Sequence, residues 1–236
     1  MWKIIDSGKG RAEQNMAIDA QLLKDLSPDA SPILHFYDWE GECITHGCLL
    51  NPHNLLDMVR VKSLGINIVK RPTGGGIIFH LYDFAFSIIV PAKCKYYSAN
   101  TLKNYHCINS RIKEAIKKCI KLESDPSFLS KDHLPLDANC AHFCMAAPTK
   151  YDLLVGKKKI VGAAQRRQKQ GYLHQGSIAI ALPKKDFLHK VLLPGTQVAE
   201  AMLQNTFFIL KGDWKTYELQ EVRATLKQQL QKEFTQ

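Results

Sequence analysis

A basic, glycine-rich segment at residues 70–80 carries the residues best suited to bind a ligand. It reads KRPTGGGIIFH and lies between two apolar runs with β character, 66–69 and 84–90. Three consecutive glycines carry no Cβ, so their backbone N–H groups can contact an anionic or carbonyl-bearing ligand, and φ can be positive. Polar side chains flank the glycines and favour a binding site over the alternative, a bend that merely requires glycine. These side chains belong to Lys70, Arg71, Thr73 and His80.

The segment matches neither of two common nucleotide motifs, because no Gly-Lys-Ser/Thr follows the glycines and no Gly-x-Gly-x-x-Gly opens a helix. It resembles instead the signature of the lipoate-protein ligase A and octanoyltransferase family. In that family a basic-Pro/Ser-Thr-Gly-Gly loop runs into a strand that ends in histidine, here His80, and a run like 86–91 follows. The resemblance extends from Trp2 to about Pro183. It assigns substrate binding to Arg71, Thr73, Gly74, Gly75, Gly76 and His80, although a buried histidine with satisfied ring nitrogens is an equal alternative for His80.

The resemblance also implies a fold and a reaction. The fold is an α/β (α+β) architecture with a mixed, largely antiparallel sheet flanked by helices, like the biotin and lipoate ligase catalytic domain, with the acyl chain in an apolar tunnel. The reaction attaches an octanoyl or lipoyl group to a specific lysine of a lipoyl carrier domain, in 2-oxoacid dehydrogenase complexes or the glycine-cleavage H protein. An acyl carrier protein is a further partner. A basic stretch is a candidate contact for a phosphopantetheine arm or an acidic carrier domain, the alternative being that it faces only water. It comprises Arg166, Arg167, Lys169 and His174.

Cys144 is the candidate nucleophile. It precedes Tyr151 and Asp152 by seven and eight residues, a spacing that resembles the cysteine-dependent octanoyltransferases. A thiolate can take an acyl group from a thioester, and nearby lysine charge lowers the pKa of a cysteine. The alternative is a small buried thiol without a chemical role.

Lys159 is the second catalytic candidate. It begins a strand after a lysine-rich turn, at the position where the resemblance places a ligand-binding lysine. A fixed ammonium there can polarise an acyl carbonyl and stabilise an oxyanion. Gly162 and Ala163 leave the same strand without bulk, as happens where a ligand comes close. We expect Lys159→Ala to lower acyl transfer by orders of magnitude with little loss of stability, because a strand-end lysine supplies charge rather than packing.

Two departures from the family pattern keep the mechanism open. Position 76 is glycine, as in the ATP-dependent ligases, where the cysteine-dependent transferases tend to have arginine, and position 81 is leucine where both groups usually have aspartate. The leading hypothesis is a Cys144 thioester. The alternative is a lipoate-protein ligase that uses ATP and magnesium to form a lipoyl-adenylate, with Lys159 bridging lipoate and adenylate. A third interpretation, a basic nucleic-acid-binding domain, depends on charge alone.

Composition limits the partners and the compartment. The 236 residues carry a net charge of +10, which indicates an anionic partner, but no basic-aromatic platform or nucleic-acid motif is present. The seven cysteines show no paired CxxC spacing, and no signal-peptide core or membrane-length apolar run occurs, so we expect a cytoplasmic protein without a membrane partner. No metal is expected, because the set Cys140, His142, Cys144 and His133 lacks the usual ligand spacing.

Hydrophobic periodicity predicts alternating strands and helices in a single domain spanning 1–236. Strands are predicted at 2–6, 33–39 and 42–47, the last two joined as a hairpin, and in a meander over 143–181. Helices are predicted at 11–26, at 51–65 with Leu55, Leu56 and Val59 buried, and at 98–120. An amphipathic helix over about 215–234 is expected to pack on the sheet.

Overall fold

The structure, a computed structural model, describes residues 1–129 and 134–236, which form a seven-stranded sheet, a three-stranded sheet and six α-helices. The strands are β1 Lys3–Gly10, β2 Ile33–Trp39, β3 Cys43–His46, β4 Asn67–Lys70, β5 Ile78–His80, β6 Asp83–Pro91, β7 Ser127–Phe128, β8 Leu153–Val155, β9 Lys158–Gln168 and β10 Gly171–Ala179. The helices are α1 Ala12–Lys24, α2 Met58–Ser63, α3 Thr101–Cys119, α4 Lys185–Val191, α5 Val198–Asn205 and α6 Thr216–Thr235.

The main sheet has the strand order β1-β2-β6-β10-β9-β8-β7. Only the β1–β2 pair is parallel, and the other neighbours are antiparallel. The small sheet has the order β4-β3-β5. The predicted mixed, largely antiparallel sheet is therefore confirmed.

Both faces of the main sheet are covered, and side chains alternate between them. Phe36 and Phe86 share a core cluster with α3 and α6. Tyr37 and Ala85, one residue away on the same strands, pack instead against Met16 of α1. None of the helices in the two described ranges is long and apolar enough to cross a membrane.

The predicted hairpin between β2 and β3 is wrong. Gly41, with φ +82°, lies in the turn that carries the chain from one sheet to the other, so β2 pairs with β1 and β6 while β3 pairs with β4 and β5. β2 is buried along nearly its whole length, and a strand in that position needs a neighbour on each edge. Nearness in sequence does not identify those neighbours.

The single helix predicted over 51–65 is also wrong. The segment is interrupted: a short 3₁₀ turn spans Pro52–Asn54, and α2 begins only after Asp57. The Asp57 side chain caps α2 by accepting a hydrogen bond from the Arg60 N–H at 3.0 Å. Leu55 and Leu56 are buried as predicted, but Val59 is 79% exposed. The interruption shifts the helical phase, so the apolar spacing no longer places these three side chains on one face.

The C-terminal half contains both confirmed and corrected predictions. β8, β9 and β10 form the expected meander, and α6 packs its apolar face against α3 and the core of the main sheet. The segment 143–145 is not a strand: Cys144 follows a 3₁₀ turn at Cys140–His142, and Phe143 makes only an isolated bridge to Ile77. α3 begins after Asn100 rather than Ser98, because the Asn100 side chain accepts the Leu102 N–H.

Candidate active site

A cavity of about 300 Å³ lies between the main sheet, the small sheet and the loop after residue 140. It brings together eight of the ten predicted site residues. These are Arg71, Gly74, Gly75, Gly76, His80, Cys144, Lys159 and Ala163. Thr73 and Gly162 do not line it.

Two of the three loop glycines have a specific structural requirement. Gly75 has φ +89°, which L side chains rarely adopt. A Cβ on Gly76 would lie 2.3 Å from the His142 carbonyl oxygen, whereas a Cβ on Gly74 would meet no atom within 4 Å. The loop therefore packs against neighbouring backbone at Gly76.

Arg71 holds the shape of this loop from inside. Its buried guanidinium donates from Nη2 to the carbonyl oxygens of Gly76 at 2.7 Å and Gly74 at 3.1 Å, and from Nη1 to Thr45 Oγ1 at 2.7 Å. Thr73, which is fully buried, donates its hydroxyl to Gln175 Oε1 at 2.7 Å and ties the loop to β10. The side chains of Arg71 and Thr73 thus form hydrogen bonds within the protein.

His80 is buried with both ring nitrogens partnered. Nδ1 lies 2.7 Å from Asp83 Oδ2 and Nε2 lies 2.8 Å from Thr45 Oγ1. A carboxylate only accepts, so Nδ1 carries a proton and donates it to Asp83. Burial opposes the charge of Asp83, but His80, Ser177 and Arg223 outweigh it and lower the pKa of that carboxyl.

Lys159 and Asp152 form a buried ion pair beside Cys144. Lys159 is 3% exposed and its Nζ lies 2.8 Å from Oδ2 of Asp152, which is 1% exposed. Nζ also donates to the Cys144 carbonyl oxygen. Burial raises the pKa of Asp152, while the ammonium and hydrogen bonds from Thr149 oppose that rise. We expected Lys159→Ala to cost little stability because a strand-end lysine supplies charge rather than packing. That premise is wrong, because the Lys159 side chain is buried in an ion pair.

Gly162 gives the Lys159 side chain its room. A Cβ on Gly162 would lie 2.7 Å from Lys159 Cε and 3.0 Å from Nζ. Its small size therefore serves the catalytic candidate, while Ala163 borders the cavity itself.

Cys144 presents a half-buried thiol to the glycine loop. Its N–H donates to the Ile77 carbonyl oxygen at 3.0 Å, and the Ile77 N–H donates to the His142 carbonyl oxygen at 2.7 Å, which fixes the segment. Its Sγ lies 3.7 Å from the position that a Cβ on Gly75 would occupy. The Cys144 thiol, the Lys159 side chain and the glycine-loop backbone thus line one cavity, a combination suited to acyl transfer.

The cysteine and histidine residues around position 140, weighed above as metal ligands, do not form a metal site within the described part of the chain. Across residues 1–129 and 134–236 no three His, Cys, Asp or Glu side chains lie together as a metal site would require. Cys140 is fully buried, and burial raises the pKa of its thiol. His133, the remaining member of that set, lies outside the described residues.

The basic stretch on β9 and β10 loses one member. His174 is buried, and burial lowers its pKa to about 3, so it is neutral at physiological pH. Arg166 is exposed and donates to the Pro72 carbonyl oxygen at 3.1 Å. Arg166 therefore lies next to the glycine segment, whereas Arg167 donates to the Ala99 carbonyl oxygen.

Several cavity residues escaped the sequence-based prediction. Met16 of α1 lines the cavity, and Tyr37 and Trp39 form an aromatic wall. Tyr105 and Tyr151 form another wall, with ring centroids 4.4 Å apart. Apolar periodicity predicts that a side chain is buried, but it does not say whether protein or ligand covers it. It therefore does not distinguish these cavity residues from ordinary core residues.

Comparison with known proteins places this geometry in a family. The family described as the lipoyl protein ligase A/B catalytic domain matches residues 11–204. An octanoyltransferase LipM from Bacillus subtilis (strain 168) is 30% identical over 209 residues, which cover 86% of this chain and 74% of that protein.

Solved structures share the fold at lower identity. A lipoate-protein ligase A bound with ATP superposes with a TM-score of 0.74 and 20% identity, over 99% of this chain and 85% of that one. A bi-partite lipoate protein ligase from Thermoplasma acidophilum, studied with its E2 lipoyl domain, superposes with a TM-score of 0.72 and 20% identity. The match covers 100% of this chain and 84% of that one. The family match and the octanoyltransferase identity together show that the chain belongs to the lipoyl protein ligase A/B catalytic domain family, whose members are enzymes.

Proposed function

We propose that this protein transfers an octanoyl group onto lysines of lipoyl acceptor domains through a thioester at Cys144. The observation that carries the proposal is the convergence of the Cys144 thiol, the Lys159 ammonium and the Gly75 backbone in one cavity. The octanoyltransferase names of the curated relatives support the acyl group.

In the first step the sulfur of Cys144 bonds to the carbonyl carbon of an octanoyl thioester. The carbon–sulfur bond to the donor breaks, and the donor leaves as a thiol that carries the proton given up by Cys144. Lys159 has three N–H donors, and its contacts to Asp152 and the Cys144 carbonyl oxygen use two. We assign the third to the acyl oxygen, where it stabilises the developing negative charge.

In the second step an amine nitrogen of the acceptor domain attacks the Cys144 thioester. An amide bond forms, the bond to Cys144 breaks, and a proton from the amine returns to the sulfur. The acceptor is a lipoyl domain, and the E2 lipoyl domain studied with the Thermoplasma ligase supports that class. Residues 1–236 act as one catalytic unit in this proposal, since α6 packs on the same core as the sheet.

The ATP-dependent ligase alternative has weaker support. The ATP-bound neighbour shares only 20% identity, which is evidence for the fold and not for the cofactor. The curated relatives carry the octanoyltransferase name instead. A nucleic-acid-binding role has no support beyond the net charge of +10.

Intact-protein mass measurement tests the thioester directly. Purified protein is incubated with a small octanoyl thioester, without ATP and without an acceptor domain. We expect a species heavier by one octanoyl group, which hydroxylamine removes, and Cys144→Ser should lose this hydroxylamine-sensitive species.

The matched control is Cys48→Ser, because Cys48 is an exposed thiol outside the cavity and its variant should still be acylated at Cys144. A parallel reaction with free lipoate, ATP, magnesium and a lipoyl domain tests the ligase alternative. The ligase would be favoured if the lipoyl domain were modified in the ATP-containing reaction while the protein kept its unmodified mass after incubation with the octanoyl thioester. That outcome would contradict the Cys144 thioester.

A further inference from the structure

Asp19 of α1 lies at the centre of a buried hydrogen-bond network that reaches the glycine loop, residues 73–76. Its side chain is fully buried and does not line the cavity. We propose that Asp19 is a positioning residue for acyl transfer, because it holds this loop in place against Cys144 through Gln175 and Thr73. The inference rests on the proposed function for the identity of the reaction. It adds a carboxylate that controls the reaction rate without touching the substrate.

Three buried donors converge on the Asp19 carboxylate. His35 Nδ1 lies 2.8 Å from Oδ1, Gln175 Nε2 donates to Oδ2 at 2.6 Å, and the Ser87 hydroxyl also donates to Oδ2. These donors come from the neighbouring strands β2, β6 and β10, and each is at most 6% exposed. The carboxylate is therefore hydrogen-bonded to three strands at once, and moving it would leave buried polar groups unpaired.

Asp19 determines which way the Gln175 amide faces. A carboxylate accepts hydrogen bonds and cannot donate them, so the amide nitrogen of Gln175 lies towards Asp19. The amide oxygen Oε1 then lies towards Thr73, whose hydroxyl donates to it at 2.7 Å. Met16 Sδ, a weak acceptor, lies 3.3 Å from the same amide nitrogen and favours the same orientation. With the amide turned over, Oε1 would face the Asp19 charge, so the anchor of the loop depends on that charge.

Thr73 transmits this orientation to the reacting groups. It directly precedes the glycine triplet, and a Cβ on Gly75 would lie 3.7 Å from Cys144 Sγ. The loop backbone and the nucleophile are therefore close neighbours, and a misplacement of about 1 Å can cost about 10²-fold in rate. Arg71 holds two carbonyl oxygens of the loop independently of this network. We therefore expect loss of the network to shift the loop rather than to unfold it.

The test places a second carboxyl group against Asp19. In Gln175→Glu the two carboxyl groups share one proton at low pH, and they repel each other once that proton is lost, because like charges raise the pKa of such a pair. We measure octanoyl loading from a small thioester and divide the kcat of the variant by the wild-type kcat at the same pH. This ratio should fall at least about threefold as pH rises to about 9, since buried glutamates titrate near pH 8–9. The wild type carries the same surrounding ionisable groups, so the division removes their titration; these groups are His35, Tyr37, Arg71 and Asp83.

Two further variants give the comparison its controls. Asp19→Asn/Gln175→Glu leaves a single carboxylate to which the asparagine amide nitrogen can donate, so the pH-dependent loss should disappear. Gln21→Glu is the matched control, because Gln21 Nε2 donates to Asp25 Oδ2 at the same 2.6 Å but both side chains are exposed on α1. Its kcat ratio should stay flat. A flat ratio in Gln175→Glu, or an equal decline in the double variant, would overturn the proposal.

Thr73→Val separates positioning from substrate binding. Valine replaces the hydroxyl by a methyl group and removes the last link of the network. The kcat for loading should fall about tenfold with KM near the wild-type value, whereas loss of a substrate-binding hydroxyl would raise KM. Wild-type kcat in this variant would overturn the proposal, and this result decides alone if Gln175→Glu does not fold.

Hydrogen exchange over residues 70–80 separates this inference from the proposed function. Exchange in this segment should be faster in Thr73→Val than in wild type, with unchanged exchange in α6. If the wild type forms no thioester, the Cys144 mechanism fails and the exchange result decides the network: faster exchange supports it and unchanged exchange overturns it. A thioester that Thr73→Val forms with wild-type kcat and wild-type exchange keeps the proposed function and removes the inference.

Discussion

Replacing Lys159 by methionine should destabilise the protein as well as inactivate it. The Lys159–Asp152 pair is 2.8 Å long and both side chains are at most 3% exposed. Removing one partner of a buried pair leaves an uncompensated charge and costs about 3–5 kcal/mol. Methionine keeps the length of the lysine stem, so the loss reports charge rather than a cavity. Urea unfolding gives the free energy difference directly.

The destabilisation should depend on pH in a defined direction. Burial raises the pKa of Asp152, and loss of the Lys159 ammonium removes an opposing influence, so the pKa rises further. A carboxyl with a raised folded-state pKa stabilises the fold below its unfolded pKa of about 3.9, and that contribution is lost as pH rises through the folded value. The stability gap between wild type and Lys159→Met should therefore widen as pH rises above the unfolded pKa of about 3.9.

Two further variants make the reasoning refutable. Lys158→Met is the matched control, because Lys158 is exposed on the same strand and such changes stay within about 0.5 kcal/mol. The double variant Lys159→Met/Asp152→Asn removes the buried charge and should recover part of the loss. A Lys159→Met protein as stable as wild type at every pH would show that the pair carries no such energy.

Lys159→Met should also lose acyl transfer. The rate is measured at temperatures at which this variant stays folded. One well-placed oxyanion donor contributes about 2.7–4 kcal/mol to the barrier, which is about 10²–10³ in kcat. Lys158→Met should transfer octanoyl at the wild-type rate. Wild-type transfer by folded Lys159→Met would remove Lys159 from the mechanism.

Three further outcomes follow from the site. Gly76→Ala should weaken octanoate binding and lower stability, because its Cβ would lie 2.3 Å from the His142 carbonyl oxygen. The Cβ of Gly74→Ala would meet no atom within 4 Å, so this variant should bind octanoate normally. Calorimetry compares the two variants. Gly162→Ala should displace the Lys159 side chain and lower kcat with little change in KM. Arg71→Met leaves two loop carbonyls without their donor, at about 1–3 kcal/mol each, which urea unfolding measures.

The sequence by itself determined the character of most elements and the location of the chemistry. The nearly continuous apolar run of β6 and the apolar face of α6 are properties of each segment alone. The glycine triplet also has a local signature: Gly75 has a positive φ and Gly76 lies against the His142 backbone, and glycine is the residue that accommodates either. The placement of Lys159 at the start of β9 was predictable from the preceding turn.

Tertiary structure alone decided which residues meet. Periodicity tells which face of a segment is buried and not what covers it, so β2 and β3 were joined as a hairpin although they belong to different sheets. The Thr73–Gln175 hydrogen bond joins residues 102 positions apart, and nothing near Thr73 in the sequence distinguishes a structural partner from a ligand.

Lys159 shows the same limit within the site. Its position at a strand end suggested a charge that contributes little to packing, but the side chain is buried against Asp152 and the Cys144 carbonyl oxygen in the folded protein. Burial is a sum over contacts from distant segments, and the apolar cluster that α1, β2 and β6 form together depends on it in the same way.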